Sequence, residues 1–108
     1  MTKVKITPGV CGMVCVATAE SADGETVTLR AQTDCPAVRA MLEELGEGLD
    51  AYELCLARPG TGPLYEYAQE HFPMHCACPT IAGLTKCAEA ECRLALTRDV
   101  SIEFIDAE

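Results

Sequence analysis

The chain has 108 residues, with seventeen acidic against eight basic side chains and a formal charge of −9, a balance that repels phosphate backbones and argues against nucleic-acid binding. Its apolar fraction of 49% contains few aromatics and no Trp, enough for one core of small and medium side chains in a single domain over residues 1–108. No run reaches the ~20 apolar residues of a membrane span, and "MTKVKITPGV" lacks the apolar segment of a secretory signal, so a cytoplasmic protein without a membrane partner is expected.

In chain order, Val4 and Ile6 alternate with Lys3, Lys5 and Thr7 as in a half-buried strand, which the turn residues of "PGVCG" interrupt. "MVCVATAESADGETVTLRAQT" reads as a hairpin turning at Asp23-Gly24, because Gly tolerates positive φ. Beyond "DCP" the period changes. Val38, Met41, Leu42 and Leu45 recur at helical spacing and "GEG" closes the segment. "DAYELCLA" and "PLYEYAQEH" predict two short helical pieces flanking a loop at 58–62. From Pro79 to about Leu94 the stripe Ile81, Leu84, Ala88 and Cys92 predicts a further helix, and Val100, Ile102 and Phe104 alternate with Ser101, Glu103 and Ile105 as a closing strand. The sum is an α+β domain in the order β-β-β-α-α-α-β, a mostly antiparallel sheet of four strands with helices on one face.

Eight cysteines stand at positions 11, 15, 35, 55, 76, 78, 87 and 92. In a reducing compartment thiols stay unpaired unless they bind metal or do redox work, so a disulfide scaffold is disfavoured. Two of them precede proline, Cys35-Pro36 and Cys78-Pro79. Proline is favoured at the first helical position, which makes each cysteine an expected N-cap, where free backbone N–H groups and the helix dipole favour a thiolate. Cys11 lies in a Gly-bracketed turn that lets backbone approach a ligand closely, and Cys76 adds a fourth sulfur. If the turn at Cys11, the end of the hairpin at Cys35 and the loop of Cys76 and Cys78 converge at one edge of the sheet, four thiolates suit tetrahedral zinc or an iron–sulfur cluster. His75 is the reserve ligand for Cys76. Cys15, Cys55, Cys87 and Cys92 read as small core residues, and His71 as a surface residue, since Pro73 breaks any continuous helix joining it to His75.

No Gly-x-Ser-x-Gly, Walker loop or His-Glu-x-x-His is present, and "RPGTGP" lacks the lysine of a phosphate cradle. Hydrolase and kinase readings have no support. The glycine-flanked Cys11, a cysteine closing a hairpin and opening a helix, and a late Cys-Pro resemble the TSCPD domain, named for Thr-Ser-Cys-Pro-Asp. More closely, Pro8 to Gly12, Asp34 to Pro36, Cys78-Pro79 and Val100 to Ile102 resemble an uncharacterised small-domain family of anaerobic bacteria and methanogens. Cys76 to Thr80 lacks the Thr-Ser and the Asp of the TSCPD motif, and Asp34-Cys35-Pro36 replaces its Gly-Cys-x-Gly. The resemblance implies cysteine-dependent metal binding and no known reaction. The expectation is a metal- or iron–sulfur-binding protein, a carrier, sensor or subunit with a protein partner, rather than an enzyme. The alternatives are an acidic docking module with structural cysteines, or a thiol-redox protein using Cys78 or Cys35, resolved by Cys35 or Cys11 because a Cys76–Cys78 bridge would be strained.

Overall fold

The computed structural model describes residues 1–107. Its elements are β1 (Thr2–Ile6), β2 (Cys15–Glu20), β3 (Thr26–Thr33), α1 (Pro36–Leu45), β4 (Leu49–Asp50), α2 (Ala51–Cys55), α3 (Pro63–His71) and α4 (Thr80–Glu91). The strands form a four-stranded antiparallel sheet in the order β1-β2-β3-β4, so the chain folds as the α+β domain expected of it.

Strand alternation divides the sheet into two faces. The register Val4↔Ala17↔Ala31 and Ile6↔Cys15↔Thr33 puts Val4, Ile6, Cys15, Ala17, Ala19, Val27 and Leu29 on one face, and the helices cover it. The other face carries Lys3, Lys5, Thr18, Arg30 and Gln32, mostly exposed. Ala17 and Ala19 are completely buried because α4 crosses β1 and β2 directly above them. The close approach has a second requirement on the helix side. At Gly83 an added Cβ would stand 2.5 Å from Cγ1 and Cδ1 of Ile6, far inside the ~3.5–4.0 Å of a normal carbon contact. α4 then drives Ile81, Leu84, Cys87 and Ala88 into the same core as Met41 and Val38 of α1 and Leu64 of α3.

Local chemistry fixes the connections. In the β2–β3 turn the Asp23 carboxylate accepts from the N–H groups of Glu25 and Thr26, both at 2.9 Å, while Gly24 takes φ +75°, and these bonds hold the Asp23 carboxyl below its usual range. The Asp50 carboxylate accepts from the N–H groups of Tyr52 and Glu53 and so caps α2. Glu91, in the last turn of α4, accepts from the Thr2 hydroxyl at 2.8 Å and the Ser21 N–H at 3.1 Å. That carboxylate clamps the helix end to the start of β1 and to the hairpin turn.

The closing strand is a correction. Val100 to Ile105 forms no strand, and Val100, Ile102 and Phe104 are 68%, 90% and 103% exposed. An alternating sequence specifies a strand only where a sheet edge pairs it and a core covers its apolar face. Here the chain turns away after α4 and meets neither. The fourth strand is instead Leu49–Asp50, paired with Val27 and Thr26. Two residues are too few for alternation to register, which is why this strand is missing from the sequence reading.

Candidate functional site

One end of the sheet collects most of the thiols. Cys15 opens β2 and pairs with Ile6 at the end of β1 and Thr33 at the end of β3. Between Ile6 and Cys15 lies the turn Gly9–Gly12, closed by a 3.0 Å bond from the Gly12 N–H to the Gly9 carbonyl, with Cys11 exposed at its tip. The positive φ values of Gly9 (+101°) and Gly12 (+68°) are ones a side chain would resist. Two residues past Thr33, Cys35 caps α1 with extended backbone and Pro36 behind it. Its N–H donates to the Thr33 hydroxyl at 3.2 Å and its carbonyl accepts from the Arg39 N–H at 3.1 Å. The first turn of α4 packs on Ile6 through Gly83, which brings the loop of Cys76 and Cys78 to the same end.

The arrangement brings the elements that carry Cys11, Cys35, Cys76 and Cys78 toward one end of the sheet. It does not form a ready-made cage. Among the described residues, no three Cys, His, Asp or Glu side chains are grouped so that they could hold a metal ion. Cys11 and Cys76 sit exposed on turns, whereas Cys35 and Cys78 are half-buried at the helix starts.

The start of α4 differs from its expected form. Cys78 is not the N-cap. Pro79 takes that place in the helical region of φ/ψ, its carbonyl accepting from the Gly83 N–H at 3.0 Å, and the helix begins at Thr80. The cause lies upstream. His75 to Cys78 closes its own turn, with the Cys78 N–H donating to the His75 carbonyl at 3.2 Å, so Cys78 belongs to that turn and stands one residue outside the cap.

Cys15 is the residue that reading by composition missed. It is buried as expected of a core cysteine, with 1% exposure, yet it opens a strand at the thiol end of the sheet, near enough to Cys35 and Cys78 to feel their charges. Burial, and then the charges that Cys35 and Cys78 would carry, push the Cys15 thiol above its ordinary ionisation range. The sequence signal was the register itself: the first residue of a strand paired with Thr33 must lie beside whatever follows Thr33. Five of the eight cysteines, at 11, 15, 35, 76 and 78, thus share this end of the domain.

Residues 2–104 match a family model described as a family of unknown function, DUF6951. The chain belongs to that family. No curated protein and no solved structure matches the chain.

The other three cysteines of this family member lie away from the thiol end. Cys87 is fully buried in α4, its thiol 3.4 Å from the Thr2 carbonyl, and burial followed by the Glu91 charge pushes it up to about 11. Cys55, half-buried where α2 meets α4, is also pushed up to about 11, by burial and then by Glu89. Burial raises Cys92 as well. These three are packing residues. His71 is exposed and lies against the Tyr67 ring at a centroid distance of 4.3 Å, while His75 is exposed in the Cys76 loop. Among the described residues, no helix is long and apolar enough to cross a membrane.

Proposed function

We propose that the cysteine-bearing end of the sheet binds a thiophilic metal ion or an iron–sulfur cluster, with Cys11, Cys35, Cys76 and Cys78 as ligands. The observation that carries this reading is that the three chain segments bearing these cysteines, the Cys11 turn, the start of α1 and the loop of Cys76 and Cys78, lie toward one end of a single sheet. The donor set suits soft metals, since all four groups are thiols. Cys35 is held by the start of α1 and Cys78 by the turn just before α4, and Cys11 and Cys76 ride on exposed turns that must close inward to complete the set. When bound, the metal would supply a charged centre that holds three separate segments together, and for an iron–sulfur cluster an electron-transfer centre. Cys15, behind Cys35 and Cys78, keeps the floor of the site apolar and thiol-lined.

The same reading makes the protein a cytoplasmic carrier, sensor or subunit that works with a protein partner. It agrees with the resemblance to cysteine-bearing small domains of anaerobes and to TSCPD domains. The test is anaerobic titration of the reduced chain with Co²⁺, followed by competition with Zn²⁺, and iron–sulfur reconstitution in parallel. Sulfur-to-cobalt charge-transfer absorption at one metal per chain is expected, and Cys35→Ser or Cys78→Ser should weaken binding by about 100-fold while Cys55→Ser leaves it unchanged. Absence of stoichiometric metal and of any cluster would reject the proposal. Retention of binding by Cys11→Ser and Cys76→Ser with loss in Cys15→Ala would replace the two exposed ligands by Cys15.

A further inference from the structure

The segment that closes the chain has a strand's sequence and no strand to pair with. α4 ends in a C-terminal turn in which the Leu94 N–H reaches the Glu89 carbonyl at 2.8 Å and the Arg93 N–H reaches the Ala90 carbonyl at 3.2 Å, with Arg93 at φ +59°. This is the left-handed exit usually given to glycine. Leu94 still packs against the core, but from Ala95 every described residue is exposed. Val100, Ile102, Phe104 and Ile105 are 68–103% exposed. Four large apolar side chains within six residues are more than a soluble surface ordinarily leaves in water.

The sheet offers a matching vacancy. β1 is an edge strand, so one side of its backbone is unpaired. Val4, on its helix-facing side, is only half-buried, whereas Lys3 and Lys5 stand exposed on the open face. The tail has the complementary pattern: Val100, Ile102 and Phe104 share one side, and Glu103 lies on the other between Ser101 and Ile105. Laid beside β1 with its apolar side toward the helices, the tail extends the cover over Val4 and places Glu103 on the face of Lys3 and Lys5. Lengths also agree, since six tail residues span ~20 Å against the ~17 Å of a five-residue strand.

We propose that residues 100–105 form a fifth strand on the β1 edge of a second copy of this chain, so that two copies exchange tails. The occupant is a second copy because the tail of each molecule projects from its own body, past the Arg93 turn, and its apolar stripe and central acid complement an edge every copy carries. The exchange is reciprocal, as a two-fold dimer requires, and it covers the exposed edge and the exposed tail in one step. It is independent of the metal site at the opposite end of β1 from Glu91 and Thr2.

Sedimentation equilibrium of the full chain tests it, together with concentration-dependent hydrogen exchange. The wild type is expected to dimerise, with amides 100–105 protected only at dimer-forming concentrations. Ile102→Asp with Phe104→Asp, at fully exposed positions that cannot disturb the monomer fold, should raise the dimer dissociation constant at least about 100-fold. Glu103→Lys, or Lys3→Glu with Lys5→Glu, should each weaken it several-fold, and the three charge reversals combined should restore it. A wild type that stays monomeric at about 1 mM, a dimer indifferent to the two aspartates, or tail protection independent of concentration would each overturn the proposal; the last would place the tail on its own β1.

Discussion

Gly83→Ala probes how closely α4 is seated on β1, and with it the placement of the Cys78 loop. The substitution brings two opposed effects. Alanine in a helix interior is better than glycine by about 1 kcal/mol. Its methyl, however, would stand 2.5 Å from both Cγ1 and Cδ1 of Ile6, about 1 Å inside a normal contact. Ile6 is β-branched, 9% exposed and part of the core, so it has little room to rotate. Overpacking of this kind costs about 2–3 kcal/mol, leaving a net loss of about 1–2 kcal/mol and a melting temperature lowered by roughly 5–10 °C. The decisive measurement repeats the substitution in an Ile6→Ala background. Only the Ile6 Cβ then remains, 3.6 Å from the new methyl, an ordinary contact. There Gly83→Ala should stabilise by up to about 1 kcal/mol, giving a coupling of about 2–3 kcal/mol in a urea-unfolding double-mutant cycle. A stabilising Gly83→Ala in the wild type, or an equal cost in both backgrounds, would refute the close seating of the helix.

Glu91→Ala should cost about 1–2 kcal/mol by orphaning the Thr2 hydroxyl and the Ser21 N–H. Because the Thr2 hydroxyl, and then the Ser21 N–H, hold the Glu91 carboxyl below its usual 4.5, its stabilisation is present above that value and lost as pH falls through the lower folded one; urea midpoints from pH 7 to about pH 3 should fall less steeply in the variant, and parallel curves would contradict this. Alkylation followed by peptide mass mapping should modify Cys11 and Cys76 first and Cys87 last. At pH about 8 the Cys87 thiol, pushed up to about 11, is ionised to only about 0.1%, and it is fully buried as well. Native labelling of Cys87 within tenfold of Cys11 would show that α4 opens readily.

The elements with several periods of pattern were legible from residues alone. Val38, Met41 and Leu42 mark α1 over ten residues, and Asp23-Gly24 marks the hairpin because its turn chemistry is local. β4 was not legible, since two residues carry no period. For the thiols, Cys35-Pro36 announced its N-cap directly. Cys78-Pro79 was displaced because a turn closed by the His75 carbonyl competes with the cap, a preference set by the whole loop.

The sequence by itself determined which segments could be helices or strands and which cysteines precede helices, because capping, turn geometry and side-chain period act within a few residues. It also determined that Val100 to Ile105 is strand-like. Only the tertiary structure decided that this strand lies unpaired, that Cys15 comes near enough to Cys35 and Cys78 to feel their charges, and that the elements bearing these cysteines lie toward one end of the sheet. Those facts depend on strand register and on the seating of α4 over Ile6, which join residues about seventy-seven positions apart, a separation across which no local preference acts.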